Sequence, residues 1–227
     1  MIDFARRRLT MVETQIRPNE VTDPRLLAAL RAVPRERFVP DELRTLAYMD
    51  EGIEVFPSID GAPARFLLAP MVLARLVQLA AVEPHDRVLD VGCATGYSTA
   101  VLAGLGRVVI GLEPEPELAH AARGALLALG IGNADIVDGP LGRGYREGGP
   151  YDVIVLNGSV PEPPKSLTAQ LSEGGRLAAV LSSGGGIGSQ GKAYRFVKVG
   201  GEVSGVPHFN AGARPLPGFV AEPCFSF

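Results

Sequence analysis

The chain has 227 residues, of which 46% are hydrophobic and 21% charged, with a formal net charge of −3. That is long for a minimal domain and ordinary for one α/β unit with an appendage. So mild a charge balance excludes the basic footprint of a nucleic-acid binder and the polybasic strip that docks on anionic lipid.

In chain order, the first region reads as helical. Asp23-Pro24 is an N-cap followed by proline at the first helical position, and Leu26, Leu27, Leu30 and Val33 then share one face. Pro34 stops that helix, and a second short helix is expected after Pro40. Residues 53–65 have no clear period and read as a loop. Residues 69–82 carry a helical pattern with Val72, Leu73, Leu76, Leu79 and Ala80 inward.

From residue 87 the pattern changes. Arg87-Val88-Leu89-Asp90-Val91 is a short apolar run entering a turn of small residues. Helix is expected at 98–105 and 116–129, and strand at 108–112, 134–137 and 151–156. A helix at 163–171, closed by Gly174-Gly175, precedes a strand at 176–181. Such alternation predicts an α/β fold with a doubly wound, mostly parallel sheet. Residues 192–199, the turn Gly200-Gly201 and residues 202–206 predict a closing C-terminal β-hairpin. Between sheet and hairpin, residues 182–189 form a glycine-rich run suited to a loop. The tail, 214–219 and 223–227, alternates apolar residues like an edge strand. It packs on its own domain or covers a pocket or a partner, which offers a route to a homo-oligomer. The expected organisation is one domain: a helical and substrate-loop region at 1–68, an α/β core at 69–182, and a hairpin with tail at 183–227.

The two cysteines, Cys93 and Cys224, make neither a disulfide framework nor a metal pair, and His85, His120 and His208 are scattered. Arg6-Arg7-Arg8 has no apolar stretch behind it, and no run approaches a membrane span. A cytoplasmic protein without a metal site is expected.

The most informative stretch is Asp90-Val91-Gly92-Cys93-Ala94-Thr95-Gly96, where a strand ends, the chain bends and a helix begins. Small residues let backbone approach a ligand closely. The spacing lacks the final glycine of a dinucleotide fingerprint, because Tyr97 stands there; an NAD-dependent oxidoreductase fits the alternation but not Ala94 and Tyr97. Glu113 ends the second strand 21 residues beyond Gly92. That matches the offset of roughly 20 residues for an acid that binds ribose hydroxyls. Asp138-Gly139 ends the third strand, where a carboxylate can reach an adenine amino group, and Asn157-Gly158-Ser159 ends the fourth. A nucleoside without pyrophosphate is the reading.

These blocks resemble the protein-L-isoaspartate O-methyltransferase family over nearly the whole chain. They include Met11-Val12-Glu13-Thr14-Gln15-Ile16-Arg17, Val33-Pro34-Arg35-Glu36-Arg37-Phe38-Val39-Pro40 and Ala47-Tyr48-Met49-Asp50. The run Val88-Leu89-Asp90-Val91-Gly92-Cys93-Ala94-Thr95-Gly96-Tyr97-Ser98-Thr99-Ala100 is similar to the family's cofactor loop. Asp138-Gly139, Tyr151-Asp152-Val153-Ile154-Val155 and Gln170-Leu171 with Gly174-Gly175-Arg176-Leu177 complete the likeness. The resemblance implies the S-adenosylmethionine-dependent methyltransferase fold, S-adenosylmethionine as cofactor, and methylation of isoaspartyl carboxylates in protein repair. The candidate cofactor set is Asp90, Gly92, Ala94, Gly96, Tyr97, Glu113, Asp138, Gly139 and Asn157.

One block departs. The family carries a polar glutamine-threonine-isoleucine-serine run in its substrate loop, and its serine is usually assigned a catalytic role. Here Arg65, Phe66, Leu67 and Leu68 occupy it, with Leu68 at the serine position. Two readings follow. One is a methyltransferase acting on a protein carboxylate or on a different, small-molecule acceptor. The other is a weak or inactive cofactor-binding homologue acting through a partner.

Overall fold

The computed structural model describes residues 2–58, 63–182 and 190–219. Helix α1 (Phe4–Met11) starts at Asp3, whose carboxylate accepts from the Arg6 N–H. Helix α2 (Pro24–Ala32) starts where its N-cap predicts, with Asp23 accepting from the Arg25 and Leu26 N–H groups. It buries Leu26, Leu27 and Leu30 and stops at Val33, held extended before Pro34. After Pro40 the chain makes a 3₁₀ helix, Asp41–Leu46, rather than an α-helix. None of its six residues is buried, so no apolar face rewards a longer helix.

The expected loop at 53–65 holds two strands. β1 (Ile53–Phe56) pairs antiparallel with β2 (Arg65–Leu67), Ile53 opposite Leu67, with a register shift between Glu54 and Phe56. Strands of four and three residues are too short to show alternation. What holds them is burial of Ile53 and Leu67 in the main core. Helix α3 (Pro70–Ala80) follows, with Val72, Leu73, Leu76 and Ala80 buried and Leu79 half-buried.

The remaining strands are β3 (Arg87–Val91), β4 (Val108–Glu113), β5 (Ala134–Asp138), β6 (Tyr151–Val160), β7 (Leu171–Leu181), β8 (Gln190–Val199) and β9 (Glu202–Gly212). They form one seven-stranded sheet in the order β5-β4-β3-β6-β7-β8-β9. The first five are parallel; β8 and β9 add antiparallel at one rim. Helices α4 (Tyr97–Ala103), α5 (Pro116–Ala128) and α6 (Lys165–Thr168) connect the parallel strands. Alternate residues feed two cores: Val88, Val109 and Val153 face one, and Leu89, Ile110 and Ile154 the other. That double burial explains why these strands read as unbroken apolar runs.

Three further expectations need correction. The helix at 163–171 is one turn, α6, and Leu171 already opens β7. Gly174-Gly175 sits inside β7, where the pairing with β6 shifts register. A Cβ at Gly175 would lie 2.8 Å from the Ser172 carbonyl oxygen and 3.0 Å from that of Tyr151, so this is a close backbone crossing, not a helix end. Finally, β6 runs on through Asn157 to Val160. The β8–β9 hairpin turns on Gly200 and Gly201, both at positive φ. Opposite Ala193 and Tyr194 its ladder is bulged next to Pro207.

Most of the glycine-rich run (183–189) and the end of the tail (220–227) lie outside the described residues. The described tail packs on its own sheet. Ser159 donates to the Arg214 carbonyl at 2.8 Å, the Leu216 N–H donates back to Ser159 at 2.9 Å, and Leu216 is buried. Among the described residues no helix is long and apolar enough to cross a membrane.

Candidate active site

Strand order reverses across β3 and β6, and in open α/β sheets the crevice at such a reversal binds ligands at the carboxyl ends of the strands. The end of β3 is organised by Asp90. Its fully buried carboxylate accepts from Ser98 Oγ at 2.7 Å, Thr99 Oγ1 at 2.6 Å and Asn157 Nδ2 at 2.5 Å. Burial pushes the Asp90 carboxyl up; the Thr99, Ser98 and Asn157 hydrogen bonds hold it down. Asp90 thereby ties β3, the first turn of α4 and β6 at Asn157 together. The bend itself needs positive φ at Gly92 (+74°), Ala94 (+50°) and Gly96 (+91°). At Gly96 a Cβ would also lie 3.0 Å from the Ala122 Cβ, so glycine lets α5 come close. Cys93 is buried, and burial with the nearby Asp90 and Glu113 charges pushes its thiol well up, which leaves it inert.

Glu113, at the end of β4, faces the bend. It is fully buried and accepts from the Ala94 N–H at 2.8 Å and the Glu115 N–H at 3.3 Å. Arg65 closes on it with Nη1 2.6 Å from Oε1 and Nη2 3.0 Å from Oε2. Burial raises the Glu113 pKa, and Arg65 with the two backbone N–H groups opposes the rise.

The other sequence candidates fall into three places. Asp138 is exposed and ion-pairs with Arg123 at 2.5 Å. With Gly139 and Leu112 it lines a cavity of about 480 Å³ beyond the Glu113 strand end. Asn157 is spent on Asp90 and on the Val91 carbonyl, at 3.3 Å. The Tyr97 ring turns to the N-terminal region, against Phe38 (5.6 Å between centroids) and beneath the Arg35 guanidinium (4.7 Å).

The substrate-loop residues Arg65, Phe66, Leu67 and Leu68 line a second cavity, of about 590 Å³, with Asp50, Asn157 and the tail residues Arg214 and Leu216. Sequence reasoning missed three contributors here. Arg35 is fully buried and donates to the Ala47 and Leu68 carbonyls, both at 2.8 Å, which pins the loop; its signal was the Val33–Pro40 block. Arg214 lays its guanidinium over the Phe66 ring at 4.8 Å and has no ion pair among the described residues. Leu216 fills the hollow beside Gly92, where a Cβ would meet its Cδ2 at 2.7 Å. The unusual tail sequence marked both residues, without their destination.

The donor set fits an adenosyl cofactor. A buried carboxylate at the end of β4 stands where a sugar diol would donate, though Arg65 now occupies it, and a second acid at the end of β5 stands within the next cavity. As the side chains lie, Arg65, Phe66 and Leu216 crowd the bend, and the space left among Phe66, Gly92 and Ser98 is about 10 Å³. No cluster of metal-ligating side chains occurs among the described residues.

Comparison with known proteins agrees with this architecture. The family profile of protein-L-isoaspartate(D-aspartate) O-methyltransferase matches residues 6–205. A protein-L-isoaspartate O-methyltransferase 1 of Rhodopseudomonas palustris (strain HaA2) is 37% identical over 196 residues, 86% of this chain and 75% of that one. One from Methanoculleus marisnigri is 37% identical over 174 residues, 77% of this chain and 76% of the relative. Two solved structures share the fold. A protein-L-isoaspartate O-methyltransferase superimposes with a TM-score of 0.77 at 24% identity, covering 94% of this chain and 66% of that one. A Plasmodium falciparum structure named for the same activity, in complex with S-adenosyl-L-homocysteine, gives 0.71 at 20% identity, with 91% and 96% covered. The chain therefore belongs to the protein-L-isoaspartate O-methyltransferase family, whose members are S-adenosylmethionine-dependent methyltransferases.

Proposed function

We propose that this protein transfers a methyl group from S-adenosylmethionine to the free carboxylate of an isoaspartyl residue in a damaged protein, in the cytoplasm. One observation carries the reading: the buried Glu113 carboxylate faces the bend after β3, beside a cavity of about 590 Å³ lined by Arg214, whose guanidinium has no ion pair among the described residues. A binding protein without turnover is the less favoured reading, because the relatives are named as methyltransferases over most of the chain.

When bound, the cofactor supplies an electrophilic methyl on a sulfonium. Glu113 would accept from the ribose hydroxyls, and Asp138 would take the base amino group. Gly92, Ala94 and Gly96 give the close backbone approach, and Asp90 with Asn157 keeps that bend in shape. The acceptor needs no general base, because a carboxyl with a pKa near 3.9 is already ionised at pH 7. The rate must come from holding oxygen, methyl and sulfur in line. Arg214 holds one carboxylate oxygen and leaves the other free to attack. Phe66 and Leu68 exclude water, and Arg214 offsets what desolvating the carboxylate costs. Leu68 supplies no hydroxyl; losing one preorganised hydrogen bond costs about 3–4 kcal/mol, roughly a hundred- to a thousandfold in rate.

A labelled-methyl assay on an isoaspartyl peptide, with the aspartyl peptide as control, tests the proposal. Methylation of the isoaspartyl peptide alone is expected, with Arg214→Ala raising KM about tenfold or more. Equal labelling of both peptides, or none, would refute it. Leu68→Ser should raise kcat; an unchanged value clears that position.

A further inference from the structure

Arg65 stands where the cofactor reading needs a free acceptor. The Glu113 carboxylate is full: Oε1 accepts from Arg65 Nη1 and the Glu115 N–H, and Oε2 from Arg65 Nη2 and the Ala94 N–H. A carboxylate has about four lone-pair sites, and a sugar diol needs two of them. The Ala94 donor is fixed by the bend and the Glu115 donor by the start of α5, so the side-chain donors free to leave are those of Arg65. Its Nη2 also reaches the Gly92 carbonyl at 3.3 Å, which lays the guanidinium across the glycine where close approach is required. On the Phe66 and Ser98 side of Gly92 the space left is about 10 Å³, at the lower limit for one water.

Arg65 is placed to leave. It pairs with Phe56 just past the register shift that interrupts β1 against β2, the last rung of that small sheet. It lines the acceptor cavity as well as the bend. An arginine cannot discharge by losing its proton, so leaving Glu113 moves a full positive charge. A buried guanidinium stripped of its partner is costly, and an anion in the cavity relieves that cost.

We infer that Arg65 and the cofactor ribose exchange on Glu113, and that the displaced Arg65 becomes a second anion-holding side chain in the acceptor cavity, opposite Arg214. The inference rests on the proposed function, since it takes Glu113 as the ribose acceptor. It makes Arg65 a positioning residue that couples the two sites. Cofactor binding creates the second cation for the acceptor carboxylate, and a bound carboxylate keeps Arg65 away from Glu113.

Calorimetry with S-adenosylhomocysteine on the intact protein tests it. Arg65→Gln is expected to bind at least tenfold tighter than the unaltered protein. In the unaltered protein a saturating isoaspartyl peptide should tighten binding several-fold, and in Arg65→Gln that gain should vanish. Equal or weaker binding by Arg65→Gln overturns the inference while leaving the cofactor assignment intact; no binding by either protein overturns both. Should Arg65→Gln fail to fold, guanidinium nitrogen NMR of the unaltered protein decides. The separate Nη signals of the slowly rotating, paired Arg65 should broaden and merge toward the averaged signal of a freely rotating group on adding S-adenosylhomocysteine. A signal unchanged at saturation means that Arg65 never leaves Glu113.

Discussion

At the scale of single residues, Asp90 shows how a buried charge can serve shape. Three side-chain donors from two elements converge on it. Asp90→Asn turns one acceptor into a donor facing other donors, so unfolding free energy should fall by about 1–3 kcal/mol in urea titration. The effect has a pH sign. Burial lifts the Asp90 carboxyl above its ordinary 3.8, so the native state holds this proton more tightly than the unfolded chain. The stability it contributes is fully present below 3.8 and is lost as pH rises through the lifted value. The advantage of the unaltered protein over Asp90→Asn should therefore shrink as pH rises through the lifted value. An advantage that grows with pH contradicts the assignment. The positions of Asp90 and Glu113 were legible because strand ends are legible. Their partners were not: Arg65 lies 48 positions from Glu113, and nothing local in either segment announces the pair.

At the scale of elements, long periodic segments declared themselves and short ones did not. α3 and α5 carry enough turns for an apolar stripe, and the parallel strands are apolar on both faces. β1 and β2 are defined by a distant core rather than by their own pattern. α6 was overextended because proline and leucine at its ends mimic a longer helix, whereas Leu171 is claimed by β7 opposite Tyr151. The docked tail invites a direct trial. Leu216→Ala should lower stability by about 2–5 kcal/mol, as for other buried leucines. A loss below about 1 kcal/mol in the same titration would mean that the tail does not sit against Gly92. At the other end, Asp23→Ala removes the α2 N-cap and should cost about 1 kcal/mol.

At the scale of the whole molecule, the α/β class, the strand alternation and the closing hairpin were readable, because crossovers between parallel strands are built mostly from helices. Strand order was not readable, since each crossover can go either way. Ligand binding reports on the assembled sheet. S-adenosylhomocysteine at 100 times its dissociation constant should stabilise by about 2.7 kcal/mol, raising Tm by roughly 5–10 °C for a chain of this size. NAD should leave Tm unchanged in the same thermal scan; a comparable rise with NAD would return the site to the dinucleotide class.

The rims of the sheet carry a consequence for how the protein behaves in a crowd. An open sheet has two margins of backbone that neighbouring molecules can zip onto. On one margin β9 contains Pro207, which offers no N–H, and its ladder with β8 shifts register beside that residue. On the other, β5 is five residues long and displays exposed Asp135 and Asp138. Among the described residues, neither margin is a good template for a neighbouring strand, which works against fibre growth when copies are concentrated.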